Sequence, residues 1–154
     1  MIHGNLPKHI MVVADESFDM KEFIGWCKRF KIEELTICMK KDYKKIESKF
    51  LDGVKVNFVL GYSGKDEIVD AVKEIARLIE KGEISVEDVD ERLFERFLKI
   101  KSQPDLIINV GSEIPEFLIW QSIYSELYFA DISRYIDFLR CLRDYQRRER
   151  RYGR

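Results

Sequence analysis

Three stretches of this 154-residue sequence carry residue types that could do chemistry. Asp15 closes the apolar run His9–Ala14 (HIMVVA). A carboxylate at the carboxyl end of a strand sits where open α/β sheets place their sites; an acidic turn that only ends the strand is the alternative. Gly61–Lys65 reads GYSGK between a β-like run and a helical one, where backbone N–H groups can hold a phosphate. It lacks the P-loop spacing, and Ser63 with Asp66 also reads as an ordinary capping box. The third stretch is the end of the chain, with six arginines from Arg143 to Arg154 against Asp144 and Glu149. Guanidinium groups grip phosphate bidentately, so this end suits a phosphate, an RNA or a membrane surface, or else is a solvated helix face. RNA binding would call for interleaved aromatic residues, and only Tyr145 and Tyr152 are near.

Other chemistries are excluded by what is missing. The formal net charge is -1, so no global attraction draws the chain to nucleic acid. With His3 and His9 the only histidines and no C-x-x-C pair, a zinc site is not expected. Cys27, Cys38 and Cys141 read as buried small hydrophobes in a reducing compartment. No apolar run approaches the roughly 18 residues that span a bilayer, and no signal-peptide core is evident, so a cytoplasmic protein is expected.

The elements that must position these residues follow from hydrophobic period. Apolar residues make up 45% and charged residues 36%, a globular composition at the length of one domain, 1–154. Strands are predicted at His9–Ala14, Glu34–Met39, Val54–Leu60 and Asp105–Val110. Helices are predicted from Asp19 to Phe30, from Asp42 to Leu51, from Ser63 to about Gly82 and from Ser85 to about Leu98. A last helix is predicted from about Asp131 or Ser133, with Ile132, Tyr135, Ile136, Leu139, Leu142 and Tyr145 as its apolar stripe and Gly153 as its C-cap. Strands alternating with helices imply a single α/β domain, a mostly parallel sheet covered on both faces.

Pro104 to Gly153 carries PDLIIN (104–109), FLIWQ (117–121), IYSELYF (123–129) and RDYQRRERRYG (143–153) in that order. This resembles the C-terminal region of the cis-prenyltransferases, the undecaprenyl and dehydrodolichyl diphosphate synthases. Upstream, PKHIMVVAD (7–15) is similar to the family's opening and VNFVLGYSGKDEIVDAV (56–72) to its later strand, turn and helix. The resemblance implies a reduced cis-prenyltransferase-like fold, and magnesium and several arginines around diphosphate substrates. On it, Asp15 aligns with the catalytic aspartate and Glu126 with the acidic residue of AYSEL; both read as vestigial catalytic acids and as the candidates for holding metal.

The departures shape the expected role. After Asp15 come Glu16-Ser17-Phe18 without the family's arginine, Asn109 replaces another arginine, and Lys65 replaces a third. The segment before Val54 is also shorter than the helices that wall the family's polyprenyl tunnel. This pattern resembles the family's non-catalytic branch, the Nogo-B-receptor-like subunits, whose R-x-G would here be Arg151-Tyr152-Gly153. The expectation is therefore a non-catalytic subunit of a heteromeric enzyme making polyprenyl diphosphate. It would dimerise with a catalytic subunit through Trp120, Ile123, Tyr124 and Phe129, residues that could equally be core. Arg151 and Gly153 would reach isopentenyl diphosphate in the partner's site, where the partner holds the magnesium, with peripheral membrane association through that complex. Two alternatives are a stand-alone magnesium-dependent short-chain homodimer using Asp15 and Glu126, and a module that binds polyprenyl phosphate or another anion.

Overall fold

The computed structural model describes residues 4–111 and 120–148. They build one six-stranded sheet in the order β3-β4-β2-β1-β5-β6. The strands are β1 (His9–Ala14), β2 (Glu34–Met39), β3 (Lys45–Leu51), β4 (Val54–Leu60), β5 (Leu106–Asn109) and β6 (Glu126–Phe129). All neighbouring pairs are parallel except β3 with β4. The helices are α1 (Met20–Arg29), α2 (Gly64–Glu80), α3 (Glu91–Glu95) and α4 (Tyr135–Arg147).

The β-branched strands alternate between two buried faces, as a mostly parallel sheet requires. On one face Ile10, Val12, Leu35, Ile37, Val56 and Ile108 pack with Phe23 and Cys27 of α1 and with Phe138, Leu142 and Tyr145 of α4. On the other, Met11, Cys38, Val59 and Ile107 pack with Tyr62 and Ile100. Each such side chain, fully buried, contributes on the order of 2 kcal/mol of transfer free energy.

Asp52-Gly53, at φ 52° and 82°, replaces the helix expected over 42–51 with a β-hairpin. An Asp-Gly turn with two positive φ angles matches the twist of paired strands. Alternation in KIESKFL then serves a half-exposed strand, and local helix propensity loses to the hairpin. The segment expected to be helical from Ser85 to Leu98 is only a short 3₁₀ turn and the five-residue α3. Strand β6 was not expected. In α4 the buried residues are Phe138, Cys141, Leu142 and Tyr145, whereas Ile136 is exposed, so the stripe is rotated from the one the spacing predicts. The helix ends at Arg147, with Arg148 extended, and the expected Gly153 cap lies outside the described residues. All three cysteines are buried and free, as expected.

A polar chain crosses the sheet near its amino edge. His9 Nδ1 is 3.1 Å from Ser102 Oγ and His9 Nε2 is 2.7 Å from Thr36 Oγ1. Asn57 Nδ2 donates to Thr36 Oγ1 and to Glu34 Oε2, and Ser48 Oγ donates to Asn57 Oδ1 at 2.6 Å. Because His9, Thr36 and Asn57 are buried, this chain locks the strand register: a one-residue slip would strand every partner.

Candidate functional site

Asp15 follows the last residue of β1, and its Oδ1 accepts from the backbone N–H of Ser17 at 2.9 Å and from Ser17 Oγ at 2.5 Å. The turn is closed by the Phe18 N–H donating to the Asp15 carbonyl at 3.2 Å, and Asp19 then caps α1 through the Glu22 N–H. Beside it, Asn109 ends β5, is 2% exposed, and accepts from the Gly111 N–H through Oδ1 at 3.1 Å. Past β5 and β6 an open depression is lined by Val110, Gly111, Phe129, Ala130 and Asp131. A smaller cleft of about 80 Å³ is lined by Phe18, Glu22, Trp26, Val110, Asp131 and Ile132, among others. Asp15, Asn109 and these hollows thus share the carboxyl edge of the sheet.

The GYSGK turn is positioned by a steric fact. Gly61 has φ +62°, and a Cβ there would lie 1.8 Å from the Tyr43 carbonyl oxygen. Its N–H donates to the Met39 carbonyl, so the chain leaves β4 across the end of β2. Ser63 and Asp66 make the expected capping box for α2, with bonds of 3.0 and 3.1 Å. That box, with Lys44 3.1 Å from Asp66, holds the Asp66 carboxyl below the usual carboxylate range, through the Ser63 backbone first.

Glu126 stands at the other end of the molecule. It opens β6, and its partner in register is Leu106, which pairs in turn with Ile10 near the start of β1. Its Oε2 is 3.2 Å from Arg148 Nη1, and the Arg148 guanidinium lies 4.0 Å from the centre of the Tyr128 ring. Helix α4 runs back from the carboxyl edge, so the beginning of the arginine-rich end is also at the amino edge. The structure therefore does not bring Asp15 and Glu126 together in one chain. No cluster of three or more acidic, histidine or cysteine side chains that could hold a metal occurs among the described residues.

Of the expected interface residues, Ile123 is 67% exposed and Tyr124 and Phe129 about half exposed, whereas Trp120 packs its ring 4.5 Å from Phe94. Leu127, which sequence reasoning did not single out, adds to this surface at the sheet edge. Arg151 and Gly153 lie outside the described residues. Two buried residues were also missed. Glu67 accepts from the Lys99 N–H through Oε2 at 2.9 Å and from Gln121 Nε2 through Oε1 at 2.8 Å, and Gln121 donates to the Ile100 carbonyl as well. Gln121 belongs to the FLIWQ motif, but nothing in one sequence marks its partner.

A mostly parallel sheet with an aspartate at its carboxyl edge and an arginine-rich last helix defines an α/β protein with charged groups at both ends of its sheet. Residues 22–153 match the prenyltransferase family described as "Putative undecaprenyl diphosphate synthase", and the chain belongs to that family, the cis-prenyltransferases. It is 51% identical over 108 residues to a Methanocaldococcus jannaschii protein named tritrans,polycis-undecaprenyl-diphosphate synthase (geranylgeranyl-diphosphate specific), covering 64% of this chain and 39% of that one. A Picrophilus torridus protein of the same name is 42% identical over 133 residues, 79% of this chain and 52% of the relative. The chain thus spans about half or less of the length of these relatives. In fold it is similar to lavandulyl diphosphate synthase from Lavandula x intermedia in complex with dimethylallyl diphosphate. There the TM-score is 0.76 at 20% identity, with 97% of this chain and 99% of that one covered. A Campylobacter jejuni protein described as "a probable undecaprenyl diphosphate synthase" gives 0.72 at 20% identity, with 99% and 100% covered.

These names overturn the expectation of a non-catalytic subunit, because the relatives are named as synthases. The expectation rested on the arginines missing after Asp15 and at Asn109 and Lys65, and on the short segment before Val54. The count of arginines takes in only one end of the sheet, and the chain's own arginine-rich end begins at the other. No helix among the described residues is long and apolar enough to cross a membrane.

Proposed function

We propose that the chain is a magnesium-dependent cis-prenyltransferase that works as a homodimer, joining isopentenyl diphosphate to a short allylic diphosphate. The observation that carries this reading is the separation of Asp15 from Glu126. From the register, they are about 16 Å apart along the strands and two strand spacings apart across them, roughly 19 Å in all. Strand β6, which bears Glu126, is an edge strand with Ile123, Leu127 and Phe129 exposed. A two-fold axis perpendicular to β6 runs the partner's edge strand antiparallel, so the amino edge of one copy meets the carboxyl edge of the other. Glu126 and the arginine-rich end, with Arg151 and Gly153, then serve the partner's Asp15.

The donor set fits magnesium. That ion is bound through one or two carboxylates and the substrate's phosphates rather than an all-protein cage, and Ser17 engages only Oδ1 of Asp15. Bound there, magnesium would offset charge on the departing diphosphate. The residues of the chain bind and orient. Asp15 is held by its turn, Arg151 faces diphosphate oxygens, and Phe18, Trp26, Val110 and Ile132 give the nearby cleft, which also carries Asp19, Glu22 and Asp131, an apolar side toward the allylic carbon. The allylic C–O bond breaks, a carbon–carbon bond forms to isopentenyl diphosphate, and a proton leaves the new chain.

The test is incubation of the purified chain with magnesium, isopentenyl diphosphate and either dimethylallyl or geranylgeranyl diphosphate, with sedimentation of the same sample. Prenyl diphosphate product from a dimer is expected, with the shorter primer preferred. A monomer without product would end this reading.

A further inference from the structure

We propose that Arg148 is a positioning residue that aims the carboxylate of Glu126. The inference rests on the reading that Glu126 contributes to a magnesium–diphosphate site.

Arg148 is where α4 stops, with φ -80° and ψ 122°, and its side chain turns back over β6. Glu126 and Tyr128 are two residues apart in one strand and so share a face. The guanidinium covers both, with Nη1 3.2 Å from Glu126 Oε2 and its carbon 4.0 Å from the centre of the Tyr128 ring. An exposed ion pair alone contributes little. Here the cation also lies over a ring, and Tyr128 is itself 8% exposed within the core that α4 covers. A planar fork held by a ring and a carboxylate has few other orientations.

Two consequences follow for Glu126. Oε2 is engaged, whereas Oε1 has no hydrogen-bond partner among the described residues and is the oxygen available to a cation. The carboxylate also cannot rotate without breaking its contact with Arg148. Arg148 thereby gives the amino edge an aimed acid to present to a second copy.

The experiment titrates isopentenyl diphosphate, with no allylic substrate and so no turnover, into wild type, Arg148→Ala, Arg148→Lys and Tyr128→Leu, with magnesium chloride or with EDTA. Melting temperatures are recorded alongside. Magnesium-dependent affinity is expected to fall about tenfold in Arg148→Ala, in line with residues that orient metal ligands. Arg148→Lys and Tyr128→Leu are expected to fall several-fold, since neither keeps a guanidinium over a ring. Binding in EDTA should be the same in wild type and Arg148→Ala. Unchanged magnesium-dependent binding in Arg148→Ala would overturn the inference, as would an equal loss in EDTA, which would make Arg148 a direct diphosphate contact. Wild type that binds no isopentenyl diphosphate with magnesium defeats the parent reading, and this inference with it.

Discussion

Asp15 and Glu126 lie at opposite ends of one parallel sheet, Asp15 beyond the last residue of β1 and Glu126 in register with Leu106 and Ile10 at its start. A carboxylate pair that has to share a metal cannot be assembled within this chain without taking the sheet apart. On the proposed function, the second acid of each site comes from a second copy.

Mixing variants tests that directly. Asp15→Ala and Glu126→Ala should each be inactive alone, and regain activity when mixed and allowed to exchange. Half the dimers are then mixed and each holds one intact site, so recovery should approach about a quarter of wild type. Replacing Ile123 with Asp should abolish the recovery by preventing dimers, as seen in sedimentation. Activity of Glu126→Ala at the wild-type level would argue against any role for that acid.

Gly61→Ala should be strongly destabilising. The new Cβ would lie 1.8 Å from the Tyr43 carbonyl oxygen, at a φ of +62°. Strain of this kind costs about 2–4 kcal/mol. Gly53→Ala, at φ +82° with nothing within 4 Å, is the control and should lose only about 1 kcal/mol. Urea unfolding of the two variants separates the steric term from the conformational one.

Glu67→Leu should destabilise by roughly 3 kcal/mol, because it leaves the Lys99 N–H without an acceptor in the interior and the Gln121 amide with only the Ile100 carbonyl. Adding Gln121→Leu should restore part of the loss, since removing both partners leaves fewer orphaned groups. A double variant worse than the sum of the singles would contradict this account.

Stability should fall as pH drops below about 6.5. His9 is buried, and desolvation holds its pKa below the ordinary 6.5, partly opposed by Glu34. The unfolded chain therefore takes up a proton that the folded chain resists, and acid favours unfolding. The melting temperature should be level above neutrality and decline from pH 6.5 downward, with a shallower decline for His9→Asn. An unchanged slope in that variant would assign the acid sensitivity to other groups.

Much of the fold was legible along the chain. The runs at 9–14, 34–39 and 54–60 are strands because β-branched residues fill positions buried on both faces, and Ser63 with Asp66 starts α2 because a side-chain oxygen and a backbone N–H need each other there. These are local requirements, visible without knowledge of neighbours. The hairpin at Asp52-Gly53 carried its signal too, in a two-residue turn between alternating runs, but charge at 42–51 favoured the helical reading. Strand β6 was not legible: four residues, mostly half-exposed, form a strand only because β5 offers an unpaired edge.

By itself, then, the sequence determined the family and the mostly parallel α/β architecture and singled out Asp15, Glu126 and the arginine-rich end, since these depend on local pattern and on motif order. Only the tertiary structure decided which of those residues share an end of the sheet. Parallel strands place a residue by its register against its neighbours, and register is a non-local quantity. It sends Asp15 to one edge and Glu126, with Arg148 beside it, to the other.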